Sequence, residues 1–293
     1  MSEITRMADI ADQVTKYWGP LGINKLKQDS LLPSLVNKDF EGNLGAEGDT
    51  VYVSEVNIPP ATRKTTGSGE ESFSASKINT TRVAIVANQT ITAAYKVQSL
   101  VQLESQIKQE NSAIRESLMQ SIEVELNNYL YSLINPSSSN PDHVINGVTD
   151  FNASALAAYR LLAAKARWAK DNNWFALLDP SYYSDMLNAS TFTSSDYVGE
   201  RPIINGQIST QRMGFNIFED NSDGLLTLGT SGADCGLLFH KDFMHLVMPQ
   251  SITFKVSDLH SNMEHGYLIS AHVVCGAALG CNGAKKHIRV YNT

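Results

Sequence analysis

Charge is scarce in this chain. Asp, Glu, Lys and Arg make up 18% of 293 residues, against roughly 25% in ordinary soluble domains, so the polar surface has to be built largely from Ser, Thr and Asn. Cysteine is nearly absent: Cys235, Cys275 and Cys281 are an odd number with no C-x-x-C pair, which excludes a disulfide scaffold and a cysteine-built zinc site and leaves buried thiols as the expectation. No basic block or Arg-rich arm occurs, and 30 acids against 23 bases give a net charge of −7. Tight nucleic-acid binding by phosphate neutralisation is therefore disfavoured. Long apolar runs are missing too. The stretch 266–284, free of charged side chains, contains His272, Asn282 and four glycines, unlike a spanning helix of about 20 apolar residues. The N-terminus MSEITRMADIADQV has charges in its first six residues and no apolar core, so no secretory signal is read, synthesis is expected to end in the cytoplasm, and no membrane partner is expected. With 42% hydrophobic residues and an ordinary load of 19 Gly and 9 Pro, the chain is long and apolar enough to fold around a substantial core.

What is present is a sequence of clear periodicities. Residues 1 to about 40 mix short amphipathic pieces with breakers at Trp18-Gly19-Pro20, Gly22 and Pro33, the pattern of an extended arm. GDTVYVSEVNI (48–58) and TTRVAIVANQTIT (80–92) alternate as two strands. Pro59 to Lys77 between them is turn-rich and polar, predicting a long exposed hairpin loop. A two-stranded hairpin of that length is marginal alone and needs a surface to lie on.

The period then changes from two to 3.6. Leu103, Ile107, Ile114, Leu118, Ile122, Leu126, Tyr129 and Leu133 fall on one stripe, predicting a helix of about 35 residues and about 50 Å that packs on the C-terminal strands. Its stop is Asn135-Pro136. A second helix is expected from Asn152, its cap, to Lys170, followed by the buried strand WFALLD and a helix opening at Pro180. Arg212 to Phe218 reads as one further strand, and from about Cys235 the chain is strand-rich. The fold class is α+β.

Chemistry is thinly represented. Five of the seven histidines lie between His240 and His272. The spacing of five in His240/His245 and His260/His265 puts each pair on opposite faces of a strand and about 140° apart on a helix, so no metal site is assigned. There is no G-x-S-x-G elbow and no phosphate-binding glycine loop. Asp258, His260, Glu264 and His265 read as solvated turn charges. Catalytic residues, cofactor and metal are all read as none.

The order of elements carries a resemblance. GNLGAEGDTVYV (42–53), the long helix to Ile134, WFALLDPSYYSDML (174–187), RMGFNIFEDN (212–221), CGLLFHKDFMHLVMP (235–249) and GYLISAHVVCGAAL (266–279) occur in a succession that resembles the major capsid proteins of tailed bacteriophages, the Hong Kong 97-type fold. The resemblance implies an N-terminal arm at 1–40 and an extended β-hairpin loop at 41–95. It also implies a peripheral domain with a long spine helix from 96–144 and 236–293, and an axial α/β domain at 145–235.

It further implies a major capsid subunit, a coat protein of the virion, that self-assembles as hexamers and pentamers into an icosahedral shell enclosing double-stranded DNA without reading its sequence. Assembly would take place in the host cytoplasm, with a separate scaffolding protein and a portal protein; decoration proteins are left open. Arg63, Lys64 and Lys77 flank Glu70 and Glu71 at the loop tip, and these five are the candidate inter-subunit contacts. Lys64, Lys77 and Asn292 are the positions at which a loop-to-distant-Asn cross-link, known in some members, would have to form. An encapsulin-like nanocompartment shell and a cytosolic α+β enzyme with a site around His260 to His272 are the alternative readings.

Overall fold

The computed structural model describes residues 28, 30–40, 50–61, 63, 75–98, 112–134, 143–189, 203–204, 207–208, 211–229, 233–258 and 266–292. Most of the expected arm, the first part of the expected long helix with Leu103 and Ile107 of its stripe, and His260, Glu264 and His265 lie outside these residues.

After a short helix α1 (Leu32–Leu35), strands β1 (Thr50–Val56) and β2 (Thr80–Val86) pair antiparallel from Thr50↔Val86 to Val56↔Thr80, as their alternation predicts. The expected second strand, 80–92, is in fact two. β2 stops at Val86, and β3 (Gln89–Gln98) joins a different sheet by pairing with β13 (Gly266–Leu279). The cause is a backbone crossing. A Cβ on Gly276 of β13 would collide with the Val86 carbonyl oxygen and lie 2.7 Å from the Ala87 Cα, so the chain passes over β13 in contact with bare backbone and changes sheets there.

Helix α2 (Ser112–Ser132) lies on the sheet that β13 organises by pairing with β3, β11 (Met244–Val247) and β12 (Thr253–Asp258). Leu118 and Ile122 of the predicted stripe pack on Ile269, Ala271 and Val273, while Leu126 joins the neighbouring core. Each such buried side chain stabilises by about 1.5–3 kcal/mol.

The second large sheet has six strands, ordered β4 (Val144–Ile145), β14 (His287–Tyr291), β10 (Cys235–His240), β5 (Trp174–Leu178), β9 (Phe215–Glu219) and β8 (Gln211–Arg212). Every residue of β10 is buried, because both faces are covered and alternate side chains feed opposite cores. Leu238, Ala176 and Val290 face α3 (Ala153–Lys165) and α4 (Pro180–Asn188), whereas Leu237, Phe239 and Leu177 face the end of α2, α1 and α5 (Asp223–Leu226). A division at 235/236, as the sequence suggests, would cut this sheet, since β10 pairs with both β14 and β5. A ladder of β6 (Ile203–Ile204) and β7 (Gln207–Ile208) stands apart.

Local signals place the helix starts. Asn152 accepts the Ala155 N–H at 3.0 Å, and Asp179, ahead of Pro180, accepts that of Tyr182 at 3.0 Å. The end of α3 departs from expectation: it stops at Lys165 and does not reach Lys170. Arg167 takes φ +60 and the Trp168 N–H bonds back to the Ala163 carbonyl, a left-handed C-terminal cap that turns Trp168 inward. There its Nε1–H donates to the Lys285 carbonyl at 2.6 Å and its ring meets Trp174 edge-on. The expected strand Arg212 to Phe218 is a hairpin, because Met213 and Gly214 both take positive φ (49 and 90) and form a tight turn between β8 and β9.

Candidate assembly surface

The β1–β2 ribbon has two unlike faces. On the inner one, Val51 and Ile85 pack with Val247, flanked by Val53, Ala87, Ala278 and Phe40. Further out, the Cys281 thiol points to the carbonyls of Val53 and Thr81 at 3.6 and 3.5 Å, and Asn282, at φ 58, donates to Glu55 Oε2 at 3.1 Å. The ribbon is thus pinned to its own body as far as Glu55 and Thr81.

Large apolar side chains stand open on its outer face and just beyond the strands. Tyr52 and Val56 are 59% and 57% exposed, and beyond them Ile58 is 93% and Ile78 81% exposed. The Arg82 guanidinium stacks on the Tyr52 ring at 5.0 Å. The Asn57 N–H donates to the Asn79 carbonyl and the Asn79 N–H to Asn57 Oδ1, extending the pairing past the strands and holding Ile58 and Ile78 side by side. Residues 57–61 and 75–79 are exposed throughout. Contiguous apolar surface on a narrow ribbon is the signature of an interaction site.

Of the five tip charges named from the sequence, Arg63 and Lys77 are exposed; Lys64, Glu70 and Glu71 lie outside the described residues. Sequence reasoning missed Tyr52, Val56, Ile58 and Ile78 as surface. The available signal was the placement of two isoleucines at the borders of an otherwise polar loop.

Several buried polar groups tie elements of the fold together. His240 is buried, its Nε2 3.1 Å from Asp171 Oδ1 and its Nδ1 accepting the Asp242 N–H, which ties the 171 loop to the turn after β10. His245 lies edge-on to Phe40, and burial lowers its pKa. Tyr131 donates to Asp220 Oδ2 at 2.6 Å, joining α2 to the end of β9, and burial raises its phenol pKa. His272 sits mid-sheet between Thr253 and Thr92.

His143 and His287 form a pair that no spacing rule would find. Both are fully buried, with Nε2 atoms 3.0 Å apart, and His287 Nδ1 is 2.8 Å from the Gly283 carbonyl. A carbonyl only accepts, so His287 is protonated on Nδ1 and its Nε2 accepts from His143. Burial, then the neighbouring imidazole, pushes the His287 pKa down to about 3. The three cysteines are free and buried, and burial pushes Cys235 up to about 12 and Cys275 to about 11.

Among the described residues no group of three or more His, Cys, Asp or Glu is placed to hold a metal, and no helix is long and apolar enough to cross a membrane. A groove of about 820 Å³ between β3 and one flank of α2 is lined mainly by amides and hydroxyls such as Gln89, Thr90, Thr92, Ser117 and Gln120, with Glu125 and Asp223.

Comparison with known proteins identifies the fold and the family. No curated protein matches the chain in sequence. Solved structures share its fold at low identity. One from Mycobacterium phage Che8 is 15% identical with a TM-score of 0.75, covering 94% of this chain and 96% of that one. The capsid structure of cyanophage P-SCSP1u is 12% identical at 0.72, covering 97% and 94%. The capsid asymmetric unit of cyanophage Pam1 is 12% identical at 0.70, covering 100% and 99%. The α+β, Hong Kong 97-type fold expected from the order of elements is the fold the chain shares with these capsids. The sequence profile of the phage capsid protein family matches residues 135–291, more than half of the 293 residues, and by that match the chain belongs to the phage capsid protein family.

Proposed function

We propose that this chain is the major capsid subunit of a tailed phage, repeated as hexamers and pentamers in an icosahedral shell around double-stranded DNA, with the β1–β2 ribbon as the element that reaches a neighbouring subunit. The observation that carries the reading is the open apolar tip, Ile58 with Ile78, on a ribbon whose inner face is fixed to its own body. A lone subunit leaves that surface in water; a neighbour would remove it. The tip charges Arg63, Lys64, Glu70, Glu71 and Lys77 would then act at the rim, setting registry and association rate more than affinity. Low charge density and net acidity suit an inner wall that must release its genome.

The same reading divides the chain as the sequence suggests. Arm 1–40, loop 41–95 and a peripheral unit of 96–144 with the C-terminal strands frame an axial unit of 145–235, whose sheet would be completed by 235–240 and 287–291. Scaffolding and portal proteins, and decoration proteins where present, would be separate chains, with assembly in the host cytoplasm and the virion as final location. The family match favours a phage shell over a cellular nanocompartment and over an enzyme.

Electron microscopy of the chain expressed alone and with a scaffolding protein tests the reading. Closed shells of a regular size are expected. Only small discrete oligomers under both conditions would refute it.

A further inference from the structure

The fold gathers positive charge at one end of the six-stranded sheet. From 151 to 170 the chain carries Arg160, Lys165, Arg167 and Lys170 and no acid, in a protein of net charge −7. All four are exposed. Hydrogen bonds bring two distant segments to the same place. Trp168 Nε1–H donates to the Lys285 carbonyl at 2.6 Å, the Lys241 N–H to the Asn173 carbonyl at 3.0 Å, and the His240 N–H to the Lys286 carbonyl at 2.9 Å. Lys241, Lys285 and Lys286 are thereby added to the cations of α3 and the turn after it. Among the described residues none of the seven is in an ion pair, whereas the carboxylates on these segments, Asp171 and Asp242, flank His240 at 3.1 and 3.8 Å.

Within this surface lies a seat for an anion. A pocket of about 140 Å³ between α3 and the β8–β9 turn is lined by Arg160, Lys170, Asn172, Trp174 and Gly214, with no acid. Arg160 lies against the turn: a Cβ on Gly214 would stand 3.8 Å from its Nε. Gly214 (φ 90) and Asn172 (φ 63) take left-handed backbone here, and the Asn172 carbonyl is held by Asn216 Nδ2 at 3.0 Å. A guanidinium fork and an ammonium around a cleft of this size suit the paired oxygens of a carboxylate or phosphate.

Apolar side chains decide between the polyanions. Leu161, next to Arg160, is 56% exposed, and Met213, next to Gly214, is 40% exposed. A phosphate backbone has no apolar group to cover them and would be repelled by Asp171 and Asp242, whereas an acidic protein segment carries carboxylates and aliphatic side chains together. The stretch of this chain with matching composition, 213–240, has four acids and no Lys or Arg, but two of them, Asp220 and Asp223, are already engaged by Tyr131 and Gln28. The occupant is therefore assigned to a different protein.

We propose that this cationic end of the sheet docks an acidic segment of another protein, with a carboxylate seated between Arg160 and Lys170 and an aliphatic side chain laid on Leu161. The proposal goes beyond the shell reading and does not depend on it.

The probe is a short fluorescent peptide of Glu with Leu at helical spacing, titrated with the free subunit at low salt and read by anisotropy. Saturable binding that weakens with salt is expected. Arg160→Glu with Lys170→Glu should weaken it about tenfold or more, while Lys255→Glu, an exposed lysine on β12, should not change it. Leu161→Ser should weaken the Glu/Leu peptide and leave an all-Glu peptide unchanged. All of these positions are exposed, so circular dichroism and melting temperature should match the parent protein.

No binding, or equal binding by the charge-reversed double variant, would overturn the proposal and leave the cations merely solvated. Tighter binding of a DNA duplex of matched charge, lost in the double variant, would overturn it in favour of a nucleic-acid contact. Self-association of the free subunit that the double variant abolishes would assign the surface to a second copy and overturn it as well.

Discussion

Acid should unlatch the seam between β4 and β14, and the His143–His287 pair sets how steeply. In the fold His287 stays neutral down to about pH 3, whereas in the unfolded chain it takes a proton near 6.5. Its folded pKa is depressed, so its contribution is fully present above about 6.5 and is lost as pH falls toward 3. One extra proton on the unfolded state changes stability by about 1.4 kcal/mol per pH unit. Between about pH 6.5 and 4.5 that amounts to roughly 3 kcal/mol, a drop of several degrees in melting temperature for a chain of this size.

The perturbation that isolates this group is His287→Asn. The amide nitrogen can still donate to the Gly283 carbonyl but does not titrate. Carboxylates and other histidines contribute to acid unfolding in both proteins, so the quantity of interest is the difference. Urea unfolding of the free subunit followed by circular dichroism from about pH 7.5 to 4 should show a shallower loss for the variant, by up to about 1.4 kcal/mol per pH unit below about 6.5. The variant itself should be less stable at neutral pH, because His143 loses its acceptor in a buried site. Parallel curves for the two proteins across the whole range would refute the assignment of a buried, neutral His287.

Three other outcomes follow. Leu118→Asp puts an unpaired charge among Ile269, Ala271 and Val273, should cost several kcal/mol and should eliminate soluble folded subunit; a normal melting temperature in that variant would show that the stripe is not core. Gly276→Ala drives a Cβ into the backbone at Val86 and should destabilise by about 1–3 kcal/mol while loosening the ribbon, read as faster proteolysis near Arg63; unchanged stability and cleavage would mean that the crossing is looser than its geometry implies. Reversing Glu70 and Glu71 to Lys should slow or misdirect assembly with circular dichroism and melting temperature intact, and unchanged particle yield across a range of salt would make those charges merely solvated.

Elements whose cause lies within a few residues are legible in the sequence. Asn152 and Asp179-Pro180 cap their helices with a side chain three positions from its donor. The stripe through Leu118, Ile122 and Leu126 shows its apolar face in its own spacing, the β1–β2 alternation shows its register, and scarce unpaired cysteines read as buried thiols because no partner spacing exists. The α+β class is legible for the same reason, since strand and helix periods are local properties of the chain, while the particular fold was suggested by the resemblance of their succession to a known family.

Tertiary structure alone decided the rest. The break between β2 and β3 comes from Gly276, near the other end of the chain, passing beneath Val86. The early end of α3 comes from Trp168 finding Lys285 and Trp174, and His143 meets His287 across 144 residues. The division of apolar side chains between core and surface is of the same kind. Ile85 is fully buried and Ile78 is 81% exposed, though both sit at the same ribbon in similar sequence. What separates them is whether another part of the fold lies underneath, and that depends on contacts between distant residues, which period and propensity do not encode.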